Sequence, residues 1–246
     1  MVSSSAISDA DAPQPARLTL NGHELTLLPS GGLWWAAEAT LVVSDLHLEK
    51  GSAYAAKGQL LPPYDTSATL ALVEAMAAEL SPRRIVSLGD SFHDGDAEAR
   101  LCDADRARIQ ALTGAAEWIW VEGNHDPEPP ATLGGRGARE LRIAGLVFRH
   151  EPEGETGEVA GHLHPAAKVR ARGRAVRRRC FATNGRHLIM PSLGAYTGGL
   201  NVCDRAFVEV FSDVPQAYVL GEARVFPLDG KRLEPDAHRP DGLWSL

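Results

Sequence analysis

Four short strings and one isolated histidine hold the residues with most capacity for chemistry: Ser44-Asp45-Leu46-His47, Leu88-Gly89-Asp90, Glu122-Gly123-Asn124-His125-Asp126, Gly161-His162-Leu163-His164, and His150. They offer carboxylate and amide oxygens and imidazole nitrogens without a thiolate, a donor mixture suited to Mn, Fe, Zn or Mg. On an extended chain a residue and its second neighbour point the same way, so Asp45 with His47, and His162 with His164, are each expected to converge on one point. A lone Asp-x-His arises by chance about once in 400 positions, whereas a fixed Gly-Asn-His-Asp arises about once in 10^5. His150 alone would be an ordinary hydrogen-bonded histidine. Its weight comes from the company it keeps, because every string falls where an expected strand gives way to a loop.

The elements that must position these residues follow from periodicity. Residues 17–20, 24–28 and 32–37 read as strands of a meander, punctuated by Asn21-Gly22 and Ser30-Gly31-Gly32. A compact apolar strand at 40–43 leads to a helix over 65–80, a strand at 84–88, a helix over 97–112 ended by Gly114, and a strand at 118–121. That β-α-β-α-β series predicts parallel central strands with their C-terminal ends on one ligand-binding edge. From residue 138 onward the pattern is mostly β, with strands expected at 140–143, 146–149, 158–161, 176–183 and 207–211. Residues 1–16 read as a disordered tail, and 17–246 as one α/β domain of two packed sheets.

The ordered strings resemble the calcineurin-like metallophosphoesterase superfamily, whose pattern is D-x-H, G-D, G-N-H-[DE], a single H, and G-H-x-H. The resemblance implies a four-layer α/β/β/α sandwich of two mixed β-sheets that holds two divalent metal ions at the sheet edge. It assigns Asp45, His47 and His164 to one metal, Asn124, His150 and His162 to the other, and Asp90 to both as a bridge. Two such ions lower the pKa of bound water towards about 7 and bind phosphoryl oxygens. His125 is implied as the non-ligand histidine that protonates the leaving alkoxide or steadies charge on phosphorus, and Asp126 as the carboxylate that holds its tautomer.

The substrate class rests on neighbouring residues. In Gly89-Asp90-Ser91-Phe92-His93-Asp94 many phosphatases have an Asp where His93 stands. The G-D-x-F-H form resembles the nuclease branch and implies that His93 contacts the scissile phosphate. The segments 44–51, 148–152 and 191–200 resemble the bacterial DNA-ligase-associated metallophosphoesterases, endonucleases encoded beside an ATP-dependent ligase, a helicase and an exonuclease. That branch implies DNA as partner, Mn2+ as the metal, with Fe, Zn or Mg as substitutes, and a part in DNA repair. The resemblance spans residues 18–211 and leaves the last 35 residues uncovered.

Composition narrows the options. The formal charge of -7, from 32 acidic against 25 basic residues, argues against a general nucleic-acid coat. One stripe runs the other way: Lys168, Arg170, Arg172, Arg174, Arg177, Arg178 and Arg179 fall within 168–179 with no acidic residue, a track for phosphates or a charged guard on an edge strand. The 3 cysteines form no C-x-x-C, so a reducing cytoplasm is expected. The longest uncharged run, 188–203, is broken by Pro191 and glycines, and no membrane span is expected. A phosphodiesterase of cyclic or dinucleotide substrates and a non-catalytic scaffold are the competing readings. Ser192 lacks the glycine two residues earlier that a serine nucleophile elbow needs.

Overall fold

The computed structural model describes residues 14–171 and 173–236. Its first sheet runs in chain order: β1 (Ala16–Leu20), β2 (His23–Leu27), β3 (Leu33–Trp35), β4 (Thr40–Val43), β5 (Arg84–Leu88), β6 (Glu117–Val121) and β7 (Arg136–Ala138). The meander β1 to β4 is antiparallel, and β4 to β7 are parallel. Parallel neighbours need crossovers, and helices supply the first two. These are α1 (Lys50–Ala56) and α2 (Asp65–Leu80) between β4 and β5, then α3 (Ala97–Arg100) and α4 (Asp103–Ala115) between β5 and β6.

The second sheet contains β8 (Leu141–Ile143), β9 (Leu146–Arg149), β10 (Glu158–Ala160), β11 (Pro165–Ala171), β12 (Arg174–Thr183), β13 (Leu188–Ile189) and β14 (Leu200–Asn201). Its spatial order is β14-β11-β12-β13-β10-β9-β8, and β15 (Gln216–Leu220) and β16 (Val225–Leu228) extend it from β12. The pairs β9/β10 and β10/β13 are parallel, whereas β11/β12 and β12/β15 are antiparallel. Both sheets are therefore mixed.

Strand alternation sorts the core into layers. Val42, Val86 and Leu88 of the first sheet face Phe148, Val159 and Phe181 of the second, whereas Leu41, Val43 and Ile85 face the opposite way onto Leu70 and Val73 of α2 and Ile109 of α4. The far side of the second sheet is closed by α5 (Arg205–Phe211), whose Phe207 and Phe211 pack on Cys180, Ala182 and Ile189. Helix, sheet, sheet and helix make the α/β/β/α sandwich. Among the described residues no helix is long and apolar enough to cross a membrane.

Local differences from the periodicity have physical causes. The strand expected at 207–211 is helix α5, capped by Asp204, whose carboxylate accepts from the Ala206 amide at 3.0 Å. Phe207 and Phe211 lie four residues apart, a spacing that shares one face in both a strand and a helix, and the intervening valines favour strand by propensity alone. The helix expected over 97–112 is two, because Leu101 is buried and extended and Cys102 caps a fresh start at Asp103; Gly114 lies inside the last turn of α4. The α1 helix, the first arm of the β11–β12 hairpin and the last two strands carried too little periodicity to be read. Of the tail expected over 1–16, residues 1–13 lie outside the described residues, Gln14 bridges to Arg224, and Ala16 opens β1.

The side chain of Phe148 is fully buried between the sheets, with its ring 6.2 Å from that of Trp35, two residues before His150. Phe148→Ala is expected to cost about 3–5 kcal/mol of stability, seen as a lower urea midpoint at unchanged denaturant slope.

Candidate metal centre

The parallel strands β4, β5 and β6 and the parallel pair β9 and β10 end at one common edge, and each carries a string of the sequence beyond its last residue. Asp45, Asp90, His150 and His47 are buried there, with residue exposures of 0%, 3%, 4% and 6%. Asp45 Oδ1 lies 3.1 Å from His164 Nε2, and His47 Nε2 lies 3.3 Å from the same atom. A second group forms from Asp45, Asp90 and His150. Beside it, Asn124 Oδ1 is 2.9 Å from His150 Nε2 and 3.1 Å from His162 Nδ1. Asp90 stands between the two, Oδ1 at 3.4 Å from His150 Nε2 and Oδ2 at 3.9 Å from His47 Nε2.

Convergence arises differently from the extended alternation expected. Asp45, His47, Asp90, His162 and His164 all have positive φ, between 44° and 68°. The chain at these strings alternates left-handed residues with Leu46 and Leu163, so it coils tightly at the strand end and turns each ligand inward. Non-glycine residues in this region are costly and persist where surrounding contacts over-determine them. The glycines of the strings serve close approach: a methyl on Gly123 would overlap the amide and carboxylate of Asp90, and one on Gly161 would overlap the Ser44 hydroxyl.

Several residues outside the expected set hold the ligands. Ser44 Oγ donates to Asp45 Oδ2 at 2.5 Å, Ser192 Oγ donates to the Asp45 carbonyl at 2.8 Å, and the His162 amide donates to the Asp45 carboxylate. His150 Nδ1 donates to the Leu88 carbonyl at 2.9 Å, which leaves Nε2 facing the cluster. Next to it, buried Arg149 is matched by Glu140, Glu155 and fully buried Glu158. Ser44, Arg149 and Ser192 stand inside segments already singled out; Glu158 carries no signal.

Electrostatics follow from this crowding. Burial drives His47 down to about 3, against the pull of Asp45 and with the help of His164. Burial also opposes charge on His150, but its bond to Asp90 and the charges of Asp45 and Asp90 outweigh that and raise it to about 9. Asp90 pays for burial too, yet His150 and the His125 amide, which donates to Oδ1 at 2.9 Å, hold it below the usual carboxylate range. His162 is lowered by burial and by the charge of His150. The site thus presents imidazole nitrogens around two buried carboxylates, with His47 Nδ1 lacking a hydrogen-bond partner among the described residues. Paired oxygen and nitrogen donors in two adjoining groups fit two divalent cations, Asp45, His47 and His164 on one side, Asn124, His150 and His162 on the other, and Asp90 between them.

His93 and His125 lie on the accessible side. Their rings stack at 5.5 Å, and each meets the His47 ring edge-on, at 6.0 Å and 5.3 Å. Burial and the nearby Lys50 lower His93. His125 is exposed and donates Nδ1–H to the His93 carbonyl at 2.9 Å, with Nε2 at 3.9 Å from Asp90 Oδ2. The expected partnership of Asp126 with the His125 ring does not form. Asp126 Oδ2 accepts the Phe92 amide at 3.0 Å instead, and burial with the adjacent Asp90 charge pushes it up to about 7. Following His125 in the chain does not bring it to the ring, because the Asn124-His125-Asp126 turn sends successive side chains in different directions.

The basic stripe is divided by its hairpin. Lys168 opposes Arg177 across β11 and β12, so Lys168, Arg170, Arg177 and Arg179 share one face. That face is matched from the C-terminal segment: Glu234 pairs with Arg170 at 2.9 Å, and Asp236 with Arg177 at 3.4 Å and Lys168 at 3.9 Å. Arg179 donates to the Ser192 and Leu193 carbonyls behind Asp45. Arg174 and Arg178 are exposed, and Arg172 lies outside the described residues.

His150 holds a proton at pH 7 in the metal-free protein, and a cation at Nε2 must displace it. Metal uptake is expected to release at least one proton at pH 7, to release less by pH 10, and to tighten as pH rises towards 9. Calorimetric titration with Mn2+ in buffers of different ionisation enthalpy measures this, and uptake without proton release at pH 7 would contradict it.

The family model for calcineurin-like phosphoesterases matches residues 39–245, and so takes in the last two strands that the shorter motifs leave uncovered. Among solved structures, the crystal structure of Pseudomonas putida nuclease MPE is similar, with a TM-score of 0.68 at 25% identity over 87% of this chain and 100% of that one. No curated protein matches the sequence. With the paired mixed sheets, their shared ligand edge and a match over most of its length, the chain belongs to the calcineurin-like phosphoesterase family.

Proposed function

We propose that this chain is a binuclear-metal phosphodiesterase that cuts DNA internally, in the service of DNA repair, with Mn2+ as its working metal. The observation that carries the reading is the stacked His93–His125 pair on the open side of the metal-ligand cluster, where a phosphodiester must enter. The similarity to a nuclease of the same fold supports the substrate class. When bound, two divalent cations acidify water and act as Lewis acids towards a phosphoryl oxygen.

The chain's own residues supply the rest. Asp45, His47 and His164, Asn124, His150 and His162, with Asp90 shared, hold the cations against one another's repulsion. The His93 carbonyl fixes the His125 ring through Nδ1–H, so Nε2 points towards the cluster, and in its imidazolium form the ring carries there the proton that a leaving oxygen needs. In this reading His93, stacked on His125 beside the cluster, contacts the scissile phosphate. Asp126 serves as a positioning residue, tying the His125 turn to the Phe92 amide in the loop that carries Asp90 and His93.

Two outcomes follow. His125→Ala is expected to lower cleavage of DNA by about 10^2 to 10^4, with far less effect on a p-nitrophenyl diester, whose leaving group needs no proton, and with unchanged bound metal. Loss of metal in that variant would place His125 among the ligands. In a Mn2+-supplemented assay, circular single-stranded DNA is expected to be opened, which requires internal cutting. Hydrolysis of a cyclic dinucleotide with the circle left intact would replace the endonuclease reading with the small-substrate one.

A further inference from the structure

Between the first ligand string and α2 lies the short helix α1, and the contacts that hold it are specific. Glu49 turns the chain with φ of 64°, and its amide donates to Thr66 Oγ1 at 2.8 Å. The Gly51 amide donates to Asp65 Oδ2 at 2.8 Å, and Arg100 Nε donates to Ser52 Oγ at 2.9 Å. These bonds clamp α1 to α2 and α3. The strand-like bridge of Leu48 to Phe92, with the His93 amide on the Leu48 carbonyl at 3.0 Å, fixes it against the loop that carries His93.

Lys50 and Tyr54 fall at i and i+4 on one face of that helix, and Lys57, its C-cap, follows at i+7. Tyr54 lies against His93, ring centroids 5.8 Å apart, and both lysines are close enough to disfavour the charged form of His93. Neither lysine forms an ion pair among the described residues, in contrast to Lys168, Arg170 and Arg177, whose charges are met by Glu234 and Asp236. The chain leaves this face through an exposed apolar stretch in which Leu60 and Tyr64 are 89% and 70% accessible. Pro62 of that stretch accepts from Tyr196 Oη, in the loop that backs Asp45. Asp65 acts on Lys50 through its charge without an ion-pair contact, and ammonium groups free of such contacts beside aromatic surface, at the mouth of a phosphodiester site, have the chemistry of a single nucleic-acid strand: cations for phosphates and rings for unstacked bases.

We propose that Lys50, Tyr54 and Lys57 form a nucleotide subsite in which Tyr54 packs on the base next to the scissile phosphodiester and the two lysines bind the flanking phosphates. The subsite rests on the DNA-cleaving reading for its purpose, and its occupant is a single strand, because paired bases have no free face for Tyr54. Stacking on one aromatic side chain is worth roughly tenfold in affinity, and each phosphate contact adds about 0.7 to the slope of log affinity against log salt for a single strand.

The test is equilibrium binding of the full-length protein, in EDTA, to a single-stranded oligodeoxynucleotide and to an abasic strand of equal length. The wild type is expected to favour the base-bearing strand about tenfold. Tyr54→Ala abolishes that preference, Tyr54→Phe keeps it, and Lys57→Gln lowers the salt slope by about 0.7 on both strands. Alongside, Mn2+-supported cleavage by Tyr54→Ala is expected to fall more on DNA than on a p-nitrophenyl diester, which carries no neighbouring base. Equal loss on the small diester and on DNA would make Tyr54 a mere support for His93 and overturn the subsite, as would equal binding of both strands by the wild type. A protein that shows the base preference yet hydrolyses no diester keeps the subsite and overturns the endonuclease reading.

Discussion

Asp45 is fully buried, and the ends of both sheets and the loop after β13 meet at it. Its carboxylate takes the Ser44 hydroxyl from its own strand end and the His162 amide from beyond the second sheet, and its carbonyl takes Ser192 and Gly194 from the loop after β13. A buried carboxyl group is tolerated only when hydrogen-bond donors surround it. Meeting that demand draws the ends of β4 and β10 together. The two sheets are joined by apolar packing over their breadth and, at their rim, by polar contacts in which Asp45 and the Asp90–His150 pair take part.

The same demand explains the backbone. Five ligands sit in left-handed conformations, each a local cost, at the one edge where five strands finish. The cost is offset by the stiff layer beneath, in which alternate residues of β4, β5 and β6 are buried on both faces. A sheet solvated on one face would relax under such strain. Glycines at 123 and 161 then let the Asp90 and Asp45 turns come closer than any side chain would permit.

How much of this was legible depended on what kind of information each feature leaves in a single chain. The ligand strings were legible because metal chemistry restricts residue type, and order along the chain survived folding intact. The α/β series and the mostly β second half were legible because buried strands and amphipathic helices are periodic. The α5 helix was hidden because Phe207 and Phe211 satisfy both periods. The α1 helix was hidden because its stability comes from Thr66, Asp65 and Arg100, all distant in sequence. The partner of His125 was hidden for a different reason: it is the backbone carbonyl of His93, and a carbonyl has no residue type to read. The charge of the 168–179 stripe was legible, but the pairing of Lys168, Arg170 and Arg177 with Glu234 and Asp236 was a matter of tertiary contact.

The inter-sheet core takes Tyr218, Leu220 and Val225 from the last two strands, and Gln14 at the other end of the described chain pairs beside Arg224. The ligand residues lie between positions 45 and 164, so on a ribosome all of them emerge well before the strands that finish the wall behind them. A nascent chain therefore carries its complete set of metal-binding side chains while the layer that clamps them is still being made. Productive assembly of the centre waits until residues 216–228 have been made and Gln14 can pair beside Arg224.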